Sequence, residues 1–186
     1  MMAPPPADTP DLYTATDIRR AVRRLASEIV EKNRGAGELV LLGIRQRGDV
    51  LADRIAAEIQ RLEDAEVPVG YLDITLYRDD VGTRLEQPVI HKTEIIFSID
   101  DQKVVLVDDV LFTGRTIRAA LAAILDIGRA RCIQLAVLCD RGARELPIHP
   151  DYVGFEVAVR KNERVTVRLK ELDGQDGINV TPGSGA

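Results

Sequence analysis

Apolar positions recur every three or four residues in three segments of the chain, a spacing typical of amphipathic helices. Either Thr16 or Asp17 is expected to cap the first helix, which should end near Gly35. The other two helices are expected over residues 49–62 and 116–127. The inward-facing positions of the first helix are Ile18, Val22, Leu25 and Ile29.

Runs that are apolar or alternate between apolar and polar residues separate these helices and predict strands. The alternation predicts an α/β fold, an open and mostly parallel sheet flanked by helices. Ligands bind such sheets at the carboxyl ends of the strands. Polar loops follow three strands there, at residues 45–48, 108–116 and 140–142. The predicted strands cover residues 38–44, 69–77, 103–107, 133–139, 152–159 and 164–169.

Composition favours one globular domain, expected over residues 11–180, with disordered tails at 1–10 and 181–186. Of the 186 residues, 45% are hydrophobic and 30% charged, and no apolar run is long enough to span a membrane. Cys132 and Cys139 are too few for a disulfide framework, so a reducing cytoplasm is expected. The net charge of −5 argues against extended non-specific binding to nucleic acid.

The clearest chemistry lies where the strand near residues 103–107 leads into a helix. Asp108 and Asp109 stand at the strand end, and Thr-Gly-Arg-Thr at residues 113–116 opens the helix. A helix N-terminus offers free N–H groups and partial positive charge, and Gly114 permits close backbone approach. Residues 113–116, here named the phosphate turn, are therefore predicted to cradle a phosphate monoester. The carboxylates suit vicinal ribose hydroxyls.

This strand, turn and helix resemble the motif of type I phosphoribosyltransferases that binds 5-phosphoribosyl 1-pyrophosphate (PRPP). Residues 73–80, 134–138 and 140–148 are similar to segments of the PyrR family, pyrimidine operon attenuation regulators with uracil phosphoribosyltransferase activity. The likeness covers about residues 18–178. It implies a type I phosphoribosyltransferase fold with a small C-terminal β hood. The implied reaction converts uracil and PRPP to UMP and pyrophosphate.

The resemblance also implies roles for individual residues. Arg78, Asp108 and Asp109 are the expected catalytic residues, with Arg78 at the start of a mobile loop over residues 78–88. The base is expected near Arg141 and the backbone of Val165. Mg²⁺ is expected to bind through PRPP and pyrophosphate, with no direct protein ligand. The implied PRPP contacts are Gln46, where the family commonly has Thr, and Arg47, Asp108, Asp109, Val110, Leu111, Phe112, Thr113, Gly114, Arg115 and Thr116.

A basic face on the first helix raises the question of RNA binding. Arg19, Arg20 and Arg23 lie on its predicted outer side and, with Arg144, could grip the phosphates of an mRNA leader. A charged helix face can equally be a solvated surface. Several residues here differ from those common in the family, namely Arg23, Ser27, His149 and Phe155. Three alternatives stay open: an active enzyme, a regulator with little catalysis and a transferase for another base. The resemblance implies a homodimer or larger oligomer.

Overall fold

The computed structural model describes residues 10–77, 93–160 and 162–183. Strands and helices alternate through most of this length, and a short 3-10 helix, Thr75–Tyr77, follows the third strand. In chain order the elements are β1 (Tyr13–Thr14), α1 (Ala15–Asn33), β2 (Leu39–Ile44), α2 (Gly48–Glu63), β3 (Val69–Leu72), β4 (Lys103–Leu111), α3 (Arg115–Ile127), β5 (Cys132–Asp140), β6 (Tyr152–Glu156), β7 (Glu163–Arg168), α4 (Lys170–Asp173) and β8 (Gly177–Pro182).

The main sheet has five strands in the order β3-β2-β4-β5-β6, and every neighbouring pair is parallel. Its central strands are apolar on both sides because helices cover both faces. Leu41 and Val105 face the core built with α1 and α2, whereas Leu42 and Leu106 face the core built with α3. The predicted open parallel α/β fold is confirmed.

A second, antiparallel sheet joins the two ends of the described chain in the order β1-β8-β7. The resemblance predicted a small C-terminal hood, and β7 and β8 form it. The sequence reasoning missed β1, α4 and β8. Strand β8 ends at Pro182, two residues beyond the predicted domain limit at residue 180.

Local side-chain bonds explain two differences from the predicted elements. Thr14, rather than Thr16 or Asp17, caps α1: its hydroxyl accepts from the Asp17 N–H, while Asp17 accepts from the Thr14 N–H. The strand predicted over residues 69–77 ends at Leu72. The Asp73 carboxylate accepts from both the N–H and the hydroxyl of Thr75, which turns the chain into the 3-10 helix.

Candidate functional site

Two consecutive carboxylates mark the carboxyl end of β4. Asp108 is buried, with 5% of its surface exposed, and Asp109 is half-buried beside it. Each carboxylate accepts the backbone N–H of the next residue, at 3.0 Å from Asp109 and 2.9 Å from Val110. Burial raises the pKa of the Asp109 carboxyl to about 6, although the charges of Arg47 and Arg164 act to lower it. At neutral pH Asp109 is therefore mostly ionised and can accept hydrogen bonds from hydroxyl groups.

The phosphate turn follows this strand directly and begins α3. Gly114 caps the helix with φ 91°, a left-handed conformation that a side chain would strain. A Cβ atom there would lie 3.3 Å from the Ile148 side chain and 3.4 Å from that of Leu146. The hydroxyl of Thr113 accepts the Arg115 N–H at 3.3 Å, which tightens the turn. Sequence and structure thus agree on a tight turn at a helix N-terminus.

Residues 140–148, here named the brace, lie against the back of the phosphate turn. The Thr113 carbonyl accepts N–H groups from Glu145 at 3.0 Å and Leu146 at 3.1 Å. The Arg115 guanidinium also pairs with the Glu145 carboxylate at 2.7 Å. The turn is therefore held from behind by a segment that is about thirty residues away in sequence.

The loop of residues 45–48 lies beside β4 at the same sheet edge. A Cβ atom on Gly48 would lie 2.4 Å from the Val107 carbonyl oxygen, so only glycine allows this approach. The Arg47 guanidinium donates to the Val167 carbonyl at 2.9 Å and pairs with Asp173 at 2.9 Å. Arg47 thus joins the loop to the hood. Gln46 is exposed.

The predicted base-binding residues approach the site from two directions. Arg141 lies at the end of β5, and its guanidinium is 3.7 Å from the centre of the Phe112 ring. Burial lowers the pKa of the Arg141 side chain. Val165 is buried in β7, the strand that carries the hood towards β4. The neighbouring Arg164 is close enough to lower the pKa of Asp109. Sequence reasoning missed Arg164, although its alternation with Val165 and Val167 places it on the opposite side of β7 from those buried residues.

The arginines proposed for RNA binding separate into two groups. Arg19, Arg20 and Arg23 are exposed on α1, and Arg23 lies 3.5 Å from Glu58 of α2. Arg144 belongs to the brace, and its guanidinium is bonded to neighbouring protein groups. The assignment of Arg19, Arg20, Arg23 and Arg144 to RNA binding stays a prediction.

Arg78 and the predicted mobile loop over residues 78–88 lie outside the described residues. A cavity of about 420 Å³ opens at the amino end of the sheet, near Leu39, Pro68 and Phe97, on the side away from the carboxylates. Among the residues described, no three His, Cys, Asp or Glu side chains cluster as a metal site. Within the same residues, no helix has the length and apolarity needed to cross a bilayer.

Comparison with known families gives a match to the phosphoribosyl transferase domain over residues 9–172. A curated relative from Pelotomaculum thermopropionicum, named "Bifunctional protein PyrR", is 58% identical over 88% of this chain and 90% of its own length. A protein of the same name from Roseiflexus sp. is 58% identical over 91% of this chain and 93% of its own.

Solved structures show the same fold at low sequence identity. A hypoxanthine phosphoribosyltransferase from Staphylococcus aureus superposes with a TM-score of 0.71 at 20% identity, covering 99% of this chain and 98% of its own. The hypoxanthine phosphoribosyltransferase of Trypanosoma cruzi gives a TM-score of 0.71 at 18% identity, over 94% of this chain and 97% of its own. The carboxylates, the turn and the loop described above therefore occupy a shared scaffold.

Proposed function

The chain belongs to the phosphoribosyl transferase domain family and, within it, to the PyrR proteins, and we propose that it transfers the phosphoribosyl group of PRPP to uracil. The products are UMP and pyrophosphate. One observation carries the proposal: a phosphate turn at the start of α3 adjoins two carboxylates at the end of β4. A ribose 5-phosphate has matching groups, an anionic phosphate at one end and vicinal hydroxyls at the other.

In this proposal the 5′-phosphate occupies the phosphate turn. The N–H groups there, the hydroxyls of Thr113 and Thr116 and the helix dipole all favour an anion. Asp108 and Asp109 accept hydrogen bonds from the 2′- and 3′-hydroxyls. Val110, Leu111 and Phe112 connect the two subsites, and Arg115 starts the helix.

The pyrophosphate group is assigned to residues 45–48, where backbone N–H groups and the Arg47 guanidinium meet it. The consecutive carboxylates of β4 fit a hard cation that is held mainly by ligand oxygens. A Mg²⁺ ion carried by the substrate would supply positive charge that offsets the negative charge of the leaving group. As the bond from C1′ to pyrophosphate breaks, positive charge develops on the sugar, and the Asp109 carboxylate stabilises it electrostatically. Arg78 is proposed to add positive charge beside the leaving group.

Uracil is assigned to the space between Arg141 and the hood. The backbone of Val165 supplies hydrogen-bonding groups to the base edge, and the nucleophile is the base's own nitrogen. Positioning of that nitrogen against C1′ is the main contribution of the hood. Base identity is the part of the proposal that relies most on the PyrR relatives.

Synthesis of UMP tests this function directly. Purified protein is incubated with labelled uracil, PRPP and Mg²⁺, and UMP is separated chromatographically. We expect UMP only when PRPP and Mg²⁺ are both present. Parallel reactions with hypoxanthine, guanine and adenine determine the base. UMP formation no higher than in a protein-free blank would refute the enzymatic function, and faster turnover of a purine would reassign it.

The exposed arginines of α1 favour a second function, in which UMP-dependent binding to a pyrimidine operon mRNA leader regulates transcription. Arg20 and Arg23 have 76% and 56% of their side chains exposed, and relatives carry the name "Bifunctional". Guanidinium groups on one helix face suit RNA phosphates. We propose a homodimer in the cytoplasm, which would present two such faces. Light scattering of the purified protein gives the mass of the particle and so tests whether it is a dimer.

A gel shift with leader RNA tests this second function. We expect binding that UMP strengthens and that salt weakens. The double variant R20Q/R23Q should bind RNA about tenfold more weakly, because two fewer guanidinium groups are then available to neutralise phosphates. Arg129→Gln, an exposed arginine on another face, serves as the control. Equal affinity for a scrambled RNA would contradict sequence-specific regulation.

A further inference from the structure

The Arg144 guanidinium donates four hydrogen bonds, three within the brace and one to Phe112, the residue before the phosphate turn. Its Nε donates to the Ile148 carbonyl at 3.0 Å, and its Nη2 donates to the Asp140 carboxylate at 2.6 Å. Its Nη1 donates to the carbonyls of Phe112 at 3.0 Å and Gly142 at 3.2 Å. Only 15% of the side chain is exposed. The guanidinium therefore lies between the brace and the residue that precedes the phosphate turn.

The bond to Phe112 fixes the direction of a peptide group at the ligand site. In a trans peptide the C=O and the following N–H point in opposite directions. Because Arg144 holds the Phe112 carbonyl towards the brace, the Thr113 N–H must point the other way. The Thr113 carbonyl is likewise held by Glu145 and Leu146, so the Gly114 N–H also points away from the brace.

The N–H groups of Thr113 and Gly114 are arranged as donors for an anion. In the described part of the chain, neither the Thr113 nor the Gly114 N–H donates to a protein acceptor. Successive N–H groups at a turn with a left-handed residue form a concave nest that attracts anions, and Gly114 has that conformation. By keeping the Phe112 carbonyl out of the nest, Arg144 also keeps that carbonyl's partial negative charge away from the anion.

We propose that Arg144 is a positioning residue for the phosphate turn: it holds the Phe112 carbonyl against the brace and thereby aims the turn's N–H groups at the 5′-phosphate. This inference rests on the proposed function, since it concerns the same ligand. It gives Arg144 a role in binding PRPP rather than RNA.

Two ligands that each carry one half of the PRPP anion provide the test. Ribose 5-phosphate occupies the phosphate turn, whereas pyrophosphate with Mg²⁺ occupies residues 45–48. In Arg144→Met, calorimetry should show about tenfold weaker binding of ribose 5-phosphate and unchanged binding of pyrophosphate, because one subsite loses its aligned donors. The KM for PRPP should rise similarly, with kcat within about threefold of the native value. Arg129→Met is the control and should change neither affinity.

Arg144→Lys gives a second measurement, since lysine keeps the charge and can reach some of the four acceptors but not all of them. It should bind ribose 5-phosphate with intermediate affinity, and it replaces Arg144→Met if that variant fails to fold. Equal losses for ribose 5-phosphate and pyrophosphate would overturn the inference. Unchanged ribose 5-phosphate binding with lost RNA binding would also overturn it. If the native protein bound no ribose 5-phosphate, the proposed function itself would fail first.

Discussion

The phosphate turn and the loop of residues 45–48 flank the same carboxylates but are held in place differently. At the phosphate turn, the carbonyls of Phe112 and Thr113 are bonded to the brace, and the N–H groups of Thr113 and Gly114 have no protein acceptor among the described residues. In the loop, the side chains have partners: Arg47 pairs with Asp173, and Arg45 pairs with Glu94 at 3.2 Å.

Under the proposed function, this difference separates a preorganised subsite, the phosphate turn, from one whose side chains must exchange partners, the loop of residues 45–48. An anion entering the phosphate turn meets donors that are already aligned, so little ordering cost accompanies binding. An anion entering the loop must compete with Asp173 for the Arg47 guanidinium. The side chains of Arg47 and Asp173 are 29% and 23% exposed, so their pair is partly screened by water and can open.

The largest expected effect on catalysis comes from removing the charge of Asp109, the carboxylate that precedes the phosphate turn. Asp109→Asn should lower kcat/KM about 10²- to 10³-fold, or roughly 3–4 kcal/mol, because the developing positive charge loses its counter-charge. Steady-state kinetics with uracil and PRPP measure the change. Asp64→Asn, an exposed carboxylate at the end of α2, is the matched control. Near-native turnover by Asp109→Asn would show that the Asp109 charge does not contribute to catalysis.

The same substitution should stabilise the fold at neutral pH. The folded-state pKa of Asp109 is raised to about 6, so the folded protein binds a proton more tightly than the unfolded chain. The contribution of Asp109 to the free energy of unfolding therefore falls as the pH rises from about 4 to 6. At pH 7.5, Asp109→Asn should gain roughly 1–3 kcal/mol in urea unfolding, and the gain should shrink at pH 4.5. Lower stability of Asp109→Asn at pH 7.5 would show that burial does not destabilise the ionised Asp109 carboxylate.

An added methyl group tests how rigid the phosphate turn is. Gly114→Ala should cost about 1–2 kcal/mol of stability, because alanine is strained at φ 91° and its Cβ would crowd Ile148 and Leu146. The KM for PRPP should rise in parallel. Gly37→Ala is the comparison, since no atom lies within 4 Å of the added carbon there. Equal effects at both glycines would mean that the turn adapts easily.

The smallest expected effect concerns the exchangeable loop. Asp173→Asn should lower the KM for PRPP two- to threefold, under about 1 kcal/mol, by freeing Arg47 from a partly exposed ion pair. The difference should fade in high salt. Glu171→Gln removes a different hood ion pair, that with Arg54, and should leave the KM unchanged. A higher KM in Asp173→Asn would indicate that the pair orients Arg47 for the ligand.

Sequence reasoning found what depends on neighbouring residues. The alternation of elements, the carboxylates and the phosphate turn are encoded within a few residues of one another, so periodicity and motif predict them. The strand expected over residues 69–77 was predicted too long. The Asp73 side chain bonds to Thr75, and this turn competes with the extended strand in a way that the apolar pattern does not reveal.

What the sequence did not reveal depends on distant pairs. The brace lies about thirty residues beyond the phosphate turn, so the sequence of neither segment indicates that Arg144 donates to the Phe112 carbonyl. The partner of Arg47 is 126 residues away. Strand β1 is two residues long and carries too little pattern to be recognised without β8. These contacts are set by the packing of the folded chain rather than by local propensity.

The pairing of β1 with β8 constrains the order in which the protein can be completed. Tyr13 is opposite Ile178, so a chain emerging from the ribosome amino end first carries β1 unpaired until β8 has been synthesised. The last described strand of the parallel sheet ends at Glu156, so that sheet can assemble earlier. The hood, to which the proposed function assigns the base, is consequently completed after the phosphate turn has formed.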